Sequence, residues 1–238
     1  RGGGGAVMGA KNLKAIAIRG ETKVELAAPD AFREAVKTQM KTYRESPSFN
    51  TLPNRGTQDP EMTLSIGMFP SKNFQEGFIP HWERIEGFNF VPMRQRPYAC
   101  YNCMIHCGQL TKVRTGSAYV GHWSEGPEYE TIWGFTGSMM IDDVGLTVAA
   151  DHLCDELGID TISAAVTIGM AYEMYEKGLI TKADTGGLEL IWGRHEPVLP
   201  LLNMIAAREG IGDLLAEGTR IVSQRIGQGT DYYAIHVK

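Results

Sequence analysis

The chain has 238 residues, 43% of them apolar, and a formal charge of −5. That length and composition bury one large core or two modest ones and exclude a disordered or fibrous protein, while the acidic balance provides no basic field for nucleic acid. No run approaches the ~18 uninterrupted apolar residues of a membrane span. Only four cysteines occur, three of them too close together for a disulfide framework, which favours metal ligation in a reducing compartment such as the cytoplasm.

The chain starts at Arg1 within a glycine run and ends at Lys238 without a polar tail, so it reads as a piece of a longer protein. Leu13–Ile18 alternates well enough to predict a strand, ended by Gly20. From Pro29 the period becomes helical, with Phe32, Ala35, Val36 and Met40 on one face. Residues 45–99 hold seven prolines with little periodicity and read as ordered loops. Weak alternation over 111–122 suggests a hairpin turning at Thr115–Ser117.

The clearest helix follows the capping pair Asp142-Asp143, with Leu146, Ala149, Ala150, Leu153, Cys154 and Leu157 inward and Gly158 as its stop. A second begins near a Ser163 cap and stops at Gly178. Further helical patterns run from 200 to 208 and from 213 to 226, separated by Gly210-Ile-Gly212, a candidate domain junction. The chain is thus expected to be mainly α.

Cys100, Cys103 and Cys107 form a C-x-x-C-x-x-x-C turn that sets three soft thiolates beside one inorganic centre. Iron–sulfur ligation is favoured, with a structural zinc site helped by His106 or His122 and a set of buried free thiols as the alternatives. A radical-SAM cluster uses the reverse spacing. The remaining cysteine, Cys154, lies on an apolar helical stripe and reads as core.

The bend Asp155-Glu-Leu-Gly158-Ile159-Asp160 is by default a helix end, although its carboxylates suit the N–H groups of a pterin ring and its glycine allows close approach. Glu128, in Gly126-Pro-Glu-Tyr-Glu-Thr131, reads as a solvated loop residue unless a cavity adjoins it, in which case burial would tune it for acid–base work. His236, flanked by apolar residues, reads first as a core histidine. Gly2–Gly5 match neither the P-loop nor the dinucleotide pattern. Trp123, Trp133 and Trp192 read as packing residues.

Taken in order, the opening Arg-Gly-Gly-Gly-Gly-Ala-Val-Met-Gly-Ala-Lys-Asn-Leu-Lys-Ala-Ile, the cysteine turn, Gly-Pro-Glu-Tyr-Glu-Thr, Leu-Cys-Asp-Glu-Leu-Gly-Ile-Asp-Thr-Ile-Ser, Gly-Asp-Leu-Leu-Ala-Glu-Gly and the terminal His-Val-Lys resemble the aldehyde ferredoxin oxidoreductases across nearly the whole chain. The resemblance implies the end of a β-rich pterin-binding domain (1–28), a helical domain (29–205) and the start of a second helical domain (206–238). It implies a tungsten or, less often, molybdenum ion held by two pterin dithiolenes, a nearby [4Fe–4S] cluster, and ferredoxin or another electron-transfer protein as acceptor.

By that resemblance Cys100, Cys103 and Cys107 are three cluster ligands, with the fourth beyond Lys238. Asp155, Gly158, Ile159 and Asp160 match a pterin motif, with Ile159 where the family has leucine. Arg1 and Gly2 match the stretch that meets the pterin phosphates and magnesium, and Lys238 matches a pterin-contacting lysine. Glu128 and His236 match the carboxylate and imidazole beside the metal. An iron-binding E-x-x-H pattern between subunits is represented here by Ala149-Ala-Asp-His152, which lacks its glutamate, and a homo-oligomer is among the partners the resemblance implies. The implied reaction converts an aldehyde plus water to a carboxylate, and the alternative within the family is reduction of an aromatic thioester of the benzoyl-CoA type with Cys154 reaching the metal.

Overall fold

The computed structural model describes residues 2–236, so Arg1 and Lys238 lie outside the described residues. The chain falls into two compact units, Arg1–Thr51 and Leu52–Lys238. In the first, α1 (Gly4–Ala10) and α2 (Pro29–Glu45) bury no residue. The strand expected at 13–18 is not formed: Ile16 and Ile18 are exposed, and among the described residues no strand pairs with the segment. The amphipathic run from Pro29 is helical as its period requires.

The segment expected as loops is more structured than its prolines suggested. It holds α3 (Pro47–Arg55), α4 (Glu61–Ser65), α5 (Gly87–Phe90) and two 3-10 turns, Trp82–Arg84 and Val91–Met93. It ends in β1 (Arg94–Tyr98), which pairs antiparallel with β2 (Gly108–Lys112); β2 in turn pairs with β3 (Trp123–Ser124), giving a three-stranded sheet of order β1-β2-β3. The hairpin expected at 111–122 is present, extended by the Val113 N–H donating to His122 O at 2.9 Å.

Helices make the rest of the unit: α6 (Tyr129–Phe135), α7 (Val144–Leu157), α8 (Thr161–Glu176), α9 (Val198–Ala207), α10 (Ile211–Leu215) and α11 (Thr219–Ile226). The mainly α class holds. One continuous core joins Phe135, Leu146, Cys154, Ile168, Tyr172, Leu201 and Val222, all essentially inaccessible to solvent. The buried Tyr172 hydroxyl donates to Arg194 O at 2.7 Å, satisfying the polar tip that burial would otherwise leave costly.

Local caps fix the helix ends that matter for the site. The Asp143 carboxylate accepts from the N–H groups of Gly145 and Leu146 at 2.7 and 3.1 Å, starting α7 as its sequence requires. Gly158 ends it at φ 68°, a left-handed conformation glycine adopts without cost. The cap of α8 is Asp160 rather than Ser163: its carboxylate accepts from the Ser163 N–H at 2.9 Å and hydroxyl at 2.6 Å. The helix expected over 213–226 is broken by Gly218 at φ 79° into α10 and α11.

Candidate metal and pterin site

The cysteine turn is the loop that joins β1 to β2, so the two strands hold both of its ends. Cys103 N–H donates to Cys100 O at 3.0 Å, and Ile105 N–H donates to Cys103 Sγ at 3.4 Å. Asn102 and His106 sit at φ 57° and 58°, which curls the backbone around the thiols. All three cysteines are free; Cys100 is exposed, and Cys103 and Cys107 are half-buried.

Burial pushes the Cys107 thiol above its ordinary range, and the Glu128 carboxylate, Cys103 and Cys100 add to the effect, against a backbone hydrogen bond that lowers it. The three sulfurs and Glu128 therefore share one electrostatic neighbourhood. Tyr98, at the end of β1, belongs to it as well. Its hydroxyl donates to Glu125 O, and burial, followed by Glu128, Glu125, Asp151 and Cys100, pushes it up to about 12.

Glu128 itself is exposed, at the N-cap position of α6 without a capping bond of its own. Thr57 fixes it. The Thr57 hydroxyl accepts from the Tyr129 N–H at 3.0 Å, so its single proton is left to donate to Glu128 Oε2. The preceding Gly126 is pinned through its carbonyl, which accepts from Gln58 Nε2 at 2.9 Å and from Thr111 Oγ1. A Cβ at Gly126 would stand 2.8 Å from Asp151 Oδ2 and 3.1 Å from Glu128 N, so a larger residue here would displace that carboxylate.

Asp151 is the residue that sequence reasoning missed. It accepts from Ser124 Oγ, and burial, with Asp155 and Glu128 as further contributors, pushes its carboxyl up to about 6. The Ser124 hydrogen bond and His152 work in the opposite direction. The only sequence signal was its place in Ala149-Ala-Asp-His152, where the nearby carboxylate was sought two residues earlier. Beside it, His152 lies against Trp123 with ring centroids 4.7 Å apart, and Trp123 is partly exposed rather than packed inside.

One turn further along α7, Cys154 is fully buried, and burial together with Asp151, Asp155 and Asp160 pushes its thiol up to about 12. The bend beyond it is closed by Gly158 N–H to Asp155 O at 3.2 Å and Ile159 N–H to Cys154 O at 2.8 Å. Its backbone donors are thus used within the chain, while the exposed Asp155 carboxylate remains available and open space surrounds Gly158. Asp155 is raised chiefly by burial. Ile159 is half-buried and packs on the core.

Glu128 thus bears electrostatically on Cys107 and on Asp151, and Asp151, Asp155 and Asp160 bear on Cys154. His236 is not in the core, as its apolar neighbours suggested. It is exposed, in a segment tethered by Thr219 Oγ1 donating to Ile235 O at 2.9 Å. Gly2, in the first unit, is exposed at φ 80°. Arg1 and Lys238 are outside the described residues.

Three free thiols on a curled hairpin loop fit three corners of an iron–sulfur cluster, each sulfur serving a different iron. Among the described residues, no three His, Cys, Asp or Glu side chains converge as a single-ion site requires. A cuboidal cluster does not ask for that convergence. Around the bend, acceptor carboxylates beside an open glycine fit the N–H groups of a pterin.

The family model described as aldehyde ferredoxin oxidoreductase, domains 2 and 3, matches residues 34–238. The chain belongs to that family. Its similarity to the tungsten-containing aldehyde ferredoxin oxidoreductase of Pyrococcus furiosus is 39% identity over 236 residues, covering 95% of this chain and 37% of that protein. An aliphatic sulfonate oxidoreductase, WOR-like subunit, of the same organism is 34% identical over the whole chain and 38% of its own length. Among solved structures, the active site complex BamBC of benzoyl coenzyme A reductase with 1,5-dienoyl-CoA superposes with a TM-score of 0.72 at 27% identity, covering 98% of this chain and 36% of that one. The chain thus spans a little over a third of the length of each of these proteins.

Proposed function

We propose that the chain is part of an oxidoreductase that converts an aldehyde and water to a carboxylate and passes the electrons to ferredoxin or a similar carrier. The observation that supports this reading best is the 39% identity to a tungsten-containing aldehyde ferredoxin oxidoreductase over 95% of the chain, with the cysteine turn and the Asp155–Asp160 bend in the same compact unit. Cys100, Cys103 and Cys107 would hold the cluster, and Asp155, Gly158, Ile159 and Asp160 would meet the pterin; Arg1, Gly2 and Lys238 are pterin-contacting positions by the family resemblance alone. When bound, a tungsten bis-pterin centre supplies Lewis acidity and a two-electron couple, and a [4Fe–4S] cluster supplies a one-electron exit.

The chain's own groups orient and move protons. Thr57 occupies one oxygen of Glu128, so Oε1 is the oxygen free to orient water or take its proton. His236, on its exposed segment, would donate or accept a second proton. Asp160 also caps α8, its carboxylate accepting from the Ser163 N–H and hydroxyl. The test is a substrate panel on the full-length holoenzyme with an artificial acceptor: aldehyde-dependent reduction is expected, and its absence with tungsten and iron in place would overturn the reading.

Reduction of an aromatic thioester is the second reading, favoured by the superposition on the benzoyl coenzyme A reductase complex. The buried, protonated thiol of Cys154 supports ranking it second, because a metal-reaching thiolate needs access and a lowered pKa. Benzoyl-CoA in the same panel separates the two.

A further inference from the structure

Non-glycine residues seldom take a left-handed backbone, and this chain uses three in a row. Within the turn from Ser71 to Glu76, in the second unit, Lys72, Asn73 and Phe74 sit at φ 51°, 48° and 67°. Asparagine tolerates that region, whereas lysine and phenylalanine adopt it against a clash of their Cβ with the backbone. Such strain persists where the surroundings over-determine it. Ser71 N–H donates to Glu76 O at 2.8 Å and Glu76 N–H returns to Ser71 O at 3.0 Å, closing the turn. Glycine at any of the three positions would close it at lower cost, so the side chains are what the strain keeps.

Each of those side chains has its own partner. Lys72 Nζ is 3.2 Å from Glu176 Oε1 at the end of α8, and Phe74 meets Trp133 of α6 edge-on with ring centroids 5.4 Å apart. Asn73 is buried and commits both protons of its carboxamide: Nδ2 donates to Glu173 Oε2 at 2.6 Å and to Tyr233 O at 2.9 Å. Glu173 is itself buried on α8, 3% exposed. The backbone of the turn is bonded on its other side, Lys72 N–H donating to Gly137 O at 2.9 Å and Asn73 N–H to Ser138 O at 3.0 Å. Those carbonyls belong to the 3-10 turn Gly137–Met139 that follows α6, the helix with Glu128 at its N-cap. Tyr233 ends the 3-10 turn Thr230–Tyr233, three residues before His236. The strained turn thus joins the helix that carries Glu128 to the segment that carries His236.

We propose that Asn73, oriented by Glu173, is a positioning residue for the reaction: through the Tyr233 carbonyl it fixes the segment that carries His236 relative to the helix that carries Glu128. The proposal rests on the function proposed above in one respect, the proton-transfer role of His236. Glu173 accepts from one N–H of the carboxamide, and because the amide is planar this aims the other N–H at Tyr233 O. His236 is exposed, so its place is set by the backbone anchors that precede it, the Tyr233 carbonyl on Asn73 and the Ile235 carbonyl on Thr219. Proton transfer requires hydrogen-bond reach, and a displaced donor costs turnover more than substrate affinity. An asparagine that merely satisfied a buried carboxylate would act on stability alone, and the effect of its loss would not depend on His236.

The test is a double-mutant cycle on the full-length holoenzyme, Asn73→Gly against His236→Ala. Glycine keeps the left-handed turn and removes both side-chain bonds. Should stranding the Glu173 carboxylate prevent folding, Asn73→Gly/Glu173→Leu removes both polar partners together. With tungsten and iron content intact, Asn73→Gly is expected to lower kcat for an aldehyde about tenfold and to leave KM within about twofold. On the His236→Ala background the same change should cost less than about twofold. Glu173→Gln, which retains an oxygen to accept from Asn73, should stay within about threefold of the wild type. An unchanged kcat in Asn73→Gly, or a tenfold loss that persists without His236, would overturn the proposal. A wild type without aldehyde turnover, or a His236→Ala enzyme as fast as the wild type, would instead fail the proposed function. Hydrogen exchange, which needs no substrate, then decides the tether. The amides of Tyr232 and Ala234, bonded to Gly229 O and Asp231 O, should exchange about tenfold faster in Asn73→Gly while those of α7 do not change, and equal exchange at both would overturn it.

Discussion

Asp151→Asn probes the link between the two halves of the site without removing a proposed ligand. The Asp151 carboxyl titrates at about 6 against an ordinary 3.8, with burial as the main cause and Asp155 and Glu128 as lesser ones. The folded chain therefore binds this proton more tightly than the unfolded chain, so stability from this group is complete below about pH 4 and is lost as pH rises to about 6 and above. At about 1.4 kcal/mol per tenfold in proton affinity, the loss is about 3 kcal/mol. Asparagine keeps an oxygen to accept from Ser124 Oγ and carries no charge to desolvate. Urea unfolding followed by tryptophan fluorescence at pH 4 and pH 8 is the assay. The variant should match the wild type within a few tenths of a kcal/mol near pH 4 and exceed it by about 3 kcal/mol at pH 8. A gap that is the same at both pH values would refute a desolvated carboxylate at this position.

Three further outcomes are expected. Thr57→Val removes both the donor to Glu128 and the acceptor for Tyr129 N–H, and should lower kcat of the full-length enzyme about tenfold or more, while Thr57→Ser keeps both bonds and activity; equal loss in the two variants would deny the positioning role. Asp160→Ala should cost about 1 kcal/mol through the lost α8 cap, and Asp160→Ser should recover most of that, as read by thermal unfolding. If Asp160 also meets the pterin, the serine variant recovers stability without recovering bound cofactor. His236→Ala should cost roughly 10²-fold in turnover with metal content intact, and unchanged turnover would dismiss its proton-transfer role.

The sequence was most legible where local chemistry decides the structure. Asp143 and Gly158 bracket α7, and the stripe through Leu146 and Cys154 is buried as its period requires. β1 was not legible: Arg94-Gln-Arg-Pro-Tyr98 has no apolar alternation, and it is a strand because β2 pairs with it across the cysteine loop. The cap of α8 was misplaced by three residues, since Ser163 and Asp160 both have capping side chains and only the chain's exit from Gly158 selects the aspartate. Ile235 is half-buried while His236 faces solvent, so apolar neighbours in sequence did not bury the imidazole. In the site, the cysteine turn was legible from spacing, whereas Thr57 and Asp151 were not. Their roles come from contacts with Glu128 and with Ser124, 71 and 27 residues distant in sequence.

Metal analysis of the full-length protein purified without oxygen, combined with electron paramagnetic resonance after reduction, bears most directly on the redox centre. About four irons and one tungsten per chain are expected, with a cluster signal that Cys107→Ser weakens or abolishes. A colourless protein holding one zinc, or an iron signal indifferent to Cys100, Cys103 and Cys107, would contradict it.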